Sequence, residues 1–132
     1  MRGSCCCGAI AYEIDPPLGR IAHCHCKTCQ KVQGAAFSSN AFIPHERFRW
    51  IHGQELLSDY ESSPGKRRYF CPRCGSHLLA IRQGQPHVIL RVASLDDDPQ
   101  PGEQTHIWTS HDRPWLNYSA ELPSFPEFPP AD

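Results

Sequence analysis

The chain has 132 residues, 39% of them apolar and 20% charged. That is room for one domain with a modest core, and less polar than disordered chains usually are. Thirteen Lys and Arg against fourteen Asp and Glu give a formal charge of -1, so no global field draws the chain onto nucleic acid or an anionic membrane.

The N-terminus, Met1 to Gly8, lacks the apolar core of a secretory signal, and no apolar run approaches the ~20 residues of a membrane span. A cytoplasmic chain is expected. In a reducing compartment its eight cysteines are expected to be metal ligands or reactive groups rather than a disulfide framework.

In chain order, the first feature is Cys5-Cys6-Cys7-Gly8. Read as extended chain, it turns Cys5 and Cys7 to one face and Cys6 to the other, so Cys5 and Cys7 are candidate ligands and Cys6 is not. A strand is expected over Ala9–Ile14. Then come His23-Cys24-His25-Cys26-Lys27-Thr28-Cys29, with a helical turn or two expected through Thr28, Cys29, Gln30 and Lys31. Strands are expected again over Ala36–Ile43 and Phe48–Ile51. Lys66-Arg67-Arg68 after Pro64-Gly65 reads as a solvated turn.

Cys71-Pro72-Arg73-Cys74-Gly75 is a metal knuckle. Two thiolates grip an ion from a tight turn, and Gly75 can take the positive φ that faces backbone amides toward sulfur. Strands over His77–Arg82 and His87–Ala93 follow, then Asp96-Asp97-Asp98 before Pro99, a charged turn suited to capping a loop. Trp50, Trp108 and Trp115 read as packing residues. Five prolines crowd residues 114–132, where Trp115, Leu116, Tyr118, Leu122, Phe125 and Phe128 are interleaved. An extended strap over the sheet is expected there. The class is mainly β, a single domain over residues 1–132.

Seven cysteines divide most simply into four plus three: Cys5, Cys7, Cys71 and Cys74 in one tetrahedral site, leaving Cys24, Cys26 and Cys29. Spacing also permits Cys24 and Cys26 to complete the knuckle. Three thiolates in six residues, with a fourth position open, is the pattern of a catalytic rather than a structural zinc.

Gly3-Ser4-Cys5-x-Cys7-Gly8, His23-Cys24-His25-Cys26-x-x-Cys29, Phe70-Cys71-x-x-Cys74-Gly75-Ser76, Ala93-Ser94-Leu95-Asp96-Asp97, His106-Ile107-Trp108 and Pro114-Trp115, in this order, resemble the glutathione-dependent formaldehyde-activating enzyme family, which also includes centromere protein V. The resemblance implies an Mss4-like fold of small twisted antiparallel sheets stapled by zinc. It also implies a structural zinc on Cys5, Cys7, Cys71 and Cys74, and a labile catalytic zinc on Cys24, Cys26 and Cys29.

The implied activity is that of a carbon-sulfur lyase of the S-(hydroxymethyl)glutathione synthase kind, adding glutathione or a similar thiol to formaldehyde or another small aldehyde. His25 or His23 would supply the proton. Lys66, Arg67 and Arg68, with Lys27 and Lys31, would meet the carboxylates of the thiol. The competing expectation is a non-catalytic zinc-binding interaction module of the same fold, with its three-cysteine site closed.

Overall fold

Residues 1–116 and 122–131 are described by a computed structural model; ten strands, one α-helix and four short 3-10 turns make up their regular structure. The strands are β1 (Arg2–Ser4), β2 (Ala11–Ile14), β3 (Ile21–Cys24), β4 (Ser38–Pro44), β5 (Phe48–His52), β6 (Ser58–Ser63), β7 (Lys66–Phe70), β8 (His77–Arg82), β9 (His87–Arg91) and β10 (Gln104–Ile107). The helix α1 spans Lys27–Gln33 between β3 and β4. Among the described residues, no helix is long and apolar enough to cross a membrane.

Three strands form a small sheet, β1-β2-β5, and seven form a larger one, β10-β3-β4-β9-β8-β7-β6. All pairings are antiparallel except one. β10 runs parallel to β3, with His106 opposite His23 and Ile107 opposite Cys24, so the larger sheet is mixed where an antiparallel one was expected.

The central strands β8 and β9 are buried through Leu78, Leu79 and Ala80 and through Val88, Ile89 and Leu90. Such continuous apolar runs are what a strand needs when both its faces are covered. β2 shows the other pattern: Tyr12 and Ile14 point inward while their neighbours are half-buried. Between the sheets, Ile10, Tyr12, Ile14, Ile43, Leu78, Leu79 and Leu90 form one core together with Cys5 and Cys71. Tyr12 stacks on Phe48 at 5.3 Å between ring centroids and meets the edge of Trp50 at 6.3 Å. Its hydroxyl lies 2.6 Å from Ser94 Oγ, so the polar end of a fully buried ring is paired.

Several elements differ from what the residues suggested. Lys66, Arg67 and Arg68 lie in β7, not in a solvated turn; the turn is Pro64-Gly65 itself, with Gly65 at φ 79°. β6 and β7 form a polar hairpin at the end of the larger sheet, where exposed charge protects an edge from pairing with other chains. Asp96 and Asp97 do cap a loop: Asp96 accepts from the Ser4 hydroxyl at 2.9 Å and Asp97 from the Arg2 amide at 2.6 Å, which docks β1. Trp50 packs as expected, but Trp108 and Trp115 are 58% and 72% exposed. In the proline-rich tail Leu122, Phe125 and Phe128 are also exposed rather than packed. Tyr118 lies outside the described residues.

The turn after β5 relies on Gly53. It combines φ 80° with a contact that would put a Cβ 2.1 Å from the Ala9 carbonyl oxygen, whereas Gly84, at φ 83°, has open space around it. Gly84→Ala is expected to cost about 1 kcal/mol for the positive φ alone. Gly53→Ala should cost about 1–3 kcal/mol more, because backbone must shift as well. Urea unfolding of the two variants, compared with the parent chain, measures the difference.

Candidate functional site

Two groups of thiols converge. In the first, Cys5, Cys7, Cys71 and Cys74 bring four sulfurs within 4.8 Å of one another. The route of Cys5 and Cys7 into it is not the alternation of an extended segment. The Gly8 amide donates to the Cys5 carbonyl at 2.9 Å, so the residues form a tight turn, with Gly8 at φ 76°. Cys6, within that turn, stays exposed and outside the group, while its amide donates to Ser76 Oγ at 2.9 Å. The knuckle forms as its spacing suggested: the Gly75 amide donates to the Cys71 carbonyl at 2.8 Å, and Gly75 sits at φ 78°.

The donor set fits a tetrahedral ion. Cys5 and Cys7 sulfurs are 3.6 Å apart and Cys7 and Cys71 sulfurs 3.9 Å. Four thiolates at 2.3 Å from zinc would be about 3.8 Å from each other. Sulfur also receives backbone donors, with the Ile10 amide 3.3 Å from Cys5 Sγ. Hydrogen bonds from the Ser76 hydroxyl and amide, and from the Cys7 amide, hold the Cys74 thiol down to about 5.

The second group is Cys24, Cys26 and Cys29, again with sulfurs within 4.8 Å of one another. Cys24 ends β3, Cys26 caps the N-terminus of α1, and Cys29 lies in the first helical turn. The cap is a thiol doing what Ser or Asp usually does: Cys26 Sγ accepts the Cys29 amide at 3.4 Å. At the other end Gly34 closes the helix in the left-handed conformation.

Arg68 reaches this group from β7, placing Nη1 and Nη2 at 3.7 and 3.8 Å from Cys29 Sγ. The guanidinium is almost fully buried and its Nε donates to Ser62 Oγ at 2.8 Å. Hydrogen bonding from the Cys24 thiol, then from Cys26, and the nearby Arg68 charge pull the Cys29 thiol down to about 4. The same hydrogen bond, with burial, pushes Cys24 upward. The Arg68 guanidinium beside Cys29 favours the anion on that sulfur.

The histidines beside these cysteines have other work. His25 is fully buried, with Nδ1 2.6 Å from Asp112 Oδ1 and Nε2 2.8 Å from His106 Nδ1. His23 places its ring nitrogens 2.9 Å from Ser39 Oγ and 2.9 Å from Gln104 Oε1. His23 thus ties β3 to β4 and β10, and His25 ties the segment after β3 to β10 and the residues beyond it.

A cavity of about 320 Å³ opens over Cys24, Cys26 and Cys29, and His25 and His23 are not in its lining. The histidine that does line it is His111, whose Nδ1 accepts the Lys27 amide at 3.2 Å. In the neutral ring this leaves the proton on Nε2. His111 carried no signal in the sequence, because only the long-range pairing of β10 with β3 brings it to the cysteines.

The other walls are cationic. Lys66, Arg68 and Arg82 line the cavity, with Asn40, Trp108 and Phe42, and among the described residues no carboxylate does. Burial and the neighbouring Arg68 charge lower the Lys66 pKa. Of the basic run singled out in the sequence, Arg67 faces elsewhere and pairs with Asp59 and Glu61 at 2.5 and 3.0 Å. Lys27 and Lys31 are exposed and outside the lining, and Arg82 takes their place.

A family model described as glutathione-dependent formaldehyde-activating enzyme matches residues 1–111. A Fusarium vanettenii protein named "Putative glutathione-dependent formaldehyde-activating enzyme" is 32% identical over 77 residues, which take in 56% of this chain and 41% of that protein. The chain thus matches less than half the length of that relative. A crystal structure of a Rhodobacter sphaeroides protein superposes with a TM-score of 0.65 at 22% identity, covering 80% of this chain and 99% of the other, and supports the fold alone.

The two thiol groups should respond differently to loss of one sulfur. Cys71 is fully buried in the core, and a metal held there by four thiolates would contribute roughly 10–16 kcal/mol against a whole-domain stability of ~5–15 kcal/mol. Cys71→Ser is expected to abolish cooperative thermal unfolding. Cys26, half-exposed at the helix cap, should tolerate Ser with a loss of about 1 kcal/mol or less, since Ser is itself a good cap. Circular dichroism melts of both variants check this, and equal collapse would contradict the division of the sites.

Proposed function

The chain belongs to the glutathione-dependent formaldehyde-activating enzyme family, and from that premise we propose that it is a zinc-dependent enzyme adding a small anionic thiol, glutathione or a close analogue, to formaldehyde or a similar small aldehyde. The observation that carries this reading is the pairing of a three-thiol group with a cationic cavity lined by no described carboxylate. Cys5, Cys7, Cys71 and Cys74 would hold a closed structural zinc, and Cys24, Cys26 and Cys29 a second one. Zinc with three protein ligands supplies, when bound, an open position at which a thiol ionises well below its free pKa of about 8.5.

The protein's own contribution is position and charge. Lys66, Arg68 and Arg82 supply the positive charge that attracts the carboxylates of the thiol, Lys66 and Arg82 as donors and Arg68 mainly through its field, since its nitrogens already face Cys29 and Ser62. Overall the addition breaks the thiol S–H bond and the π bond of the carbonyl, forms one carbon–sulfur bond, and places the proton on the carbonyl oxygen as a new hydroxyl. No electron donor or acceptor is consumed. At neutral pH a free thiol is already a few per cent ionised, so ionisation alone gives a limited gain. Holding thiol and aldehyde together is the larger effect.

His111, at the cavity wall with its proton on Nε2, is the donor suited to the new hydroxyl. His25 acts at one remove: buried between Asp112 and His106, it fixes the segment that carries Cys24 and Cys26. This assigns His25 to positioning rather than to proton transfer. The eight cysteines are free thiols, and the reading requires them reduced, as they would be in the cytoplasm.

Exchange NMR on mixtures of glutathione and formaldehyde measures directly how fast the adduct forms and breaks. The zinc-loaded protein should accelerate that exchange over buffer, and Cys26→Ser should abolish the acceleration while remaining folded. Lys66→Met should raise KM for the thiol about tenfold or more, the value of a charge-assisted hydrogen bond. Exchange no faster than in buffer, at full zinc loading, would leave a zinc-binding module without this activity.

A further inference from the structure

A second cavity, of about 420 Å³, is linked to the thiol cavity through a hydrogen-bonded pair of wall residues. It opens between the Cys5–Cys6 turn, the start of β8, the end of β9 and the C-terminal end of α1. Arg91 forms part of its wall and donates through Nη1 to Asn40 Oδ1, and Asn40 in turn lines the cavity over the three thiols. That hydrogen bond joins the walls of the two cavities.

Buried side-chain nitrogens lacking a hydrogen-bond partner are rare in folded proteins. Among the described residues they are Gln33 Nε2, His77 Nδ1, Arg91 Nε and Arg91 Nη2, and all three residues belong to the wall of this one cavity. Arg91 is only 5% exposed. Its Nε and Nη2 lie along one edge of the guanidinium, the edge whose parallel N–H groups match the two oxygens of a carboxylate. His77 is kept in orientation by Phe70, with ring centroids 5.2 Å apart. The amide nitrogen of Gln33 can only donate.

The remaining polar groups of the wall are already satisfied. Ser4 Oγ donates to Asp96 and Ser94 Oγ to the Arg91 carbonyl at 2.7 Å. Ser76 Oγ accepts the Cys6 amide. What stays unpaired is the Nε–Nη2 edge of Arg91, the Gln33 amide nitrogen, and His77 Nδ1, which donates in the tautomer that carries its proton there. The missing complement of the buried cation is therefore an acceptor carrying negative charge. Asp96, held at the wall by Ser4, disfavours a ligand of high negative charge.

We propose that this cavity is a binding site for a small monocarboxylate, held two-pronged by Arg91 Nε and Nη2, with His77 Nδ1 and Gln33 Nε2 as flanking donors. The site is separate from the thiol cavity and does not depend on the reaction assigned to it.

The test uses the folded, zinc-loaded, 15N-labelled chain, titrated with sodium acetate and, in a parallel arm, with sodium sulfate and with sodium chloride. Acetate should produce saturable shifts of the Arg91 Nε–H, the Gln33 side-chain amide and the His77 ring in the millimolar range. Chloride at equal ionic strength should not. Sulfate binding more tightly than acetate would replace the carboxylate by a dianionic oxyanion and overturn the stated class. Arg91→Gln should weaken acetate about tenfold or more, and His77→Phe, which keeps the ring against Phe70, about three- to tenfold. If Arg91→Gln does not fold, His77→Phe decides alone. No saturable shift at these groups, shifts confined to Arg68 and Lys66, or His77→Phe binding acetate as the parent does would each overturn the proposal.

Discussion

Two core thiols, Cys5 and Cys71, determine how the small sheet is tied to the large one. Cys5 follows β1 and Cys71 follows β7, yet both sit in the apolar cluster of Ile10, Leu78 and Leu90. The exposed Cys7 brings its sulfur to 3.6 Å from Cys5 and 3.9 Å from Cys71, and thiolates this close repel, so the group needs either protons or a shared cation. A metal held by all four thiols would resolve this and cross-link chain segments far apart in sequence. The Cys5–Gly8 turn, the Cys71–Gly75 knuckle and the docking of β1 by Asp96 and Asp97 all serve to bring those sulfurs together.

The face of the large sheet poses the opposite problem. Arg68 and Arg91 are both buried there, and burial, with the Arg68 charge, lowers Arg91 to about 10. Buried cations are unfavourable unless matched by negative charge. Arg68 is matched by Cys29, which couples the cationic floor to the three-thiol group. Arg91 has only the neutral Asn40 as hydrogen-bond partner. A buried guanidinium with two nitrogens lacking hydrogen-bond partners is disfavoured for stability alone, even with the thiols of the neighbouring group near it, and is characteristic of sites that bind something. The two cavities, joined through the Asn40–Arg91 pair, are consequences of placing cations on a sheet face and leaving part of their demand for an incoming anion.

Local chemistry made much of this visible in the sequence. The strand His77–Arg82 coincides with its apolar run, and the knuckle at Cys71 and Cys74 follows from its spacing and Gly75. Both sets of sulfurs come together as the cysteine pattern suggested, although Cys5 and Cys7 do so through a turn rather than through strand alternation. What escaped notice depends on distant partners. β6 and β7 are polar because they close the sheet at its edge, so Ser58–Ser63 and Lys66–Phe70 lack the apolar signature of strands. His111 and Arg82 reach the thiol cavity through pairings of β10 with β3 and of β8 with its neighbours. The exposed Trp108 and Trp115 escaped for the same reason, since aromatic character alone does not say what covers a ring.

Native mass spectrometry of the reduced chain, before and after exposure to glutathione and removal of unbound metal, tests the division into one closed and one open metal site most directly. Two zinc ions per folded chain, or one rising to two when the thiol is present, is the expected result. A folded chain that holds a single zinc under both conditions would contradict the open site, leaving the four-thiol clamp to stand by itself.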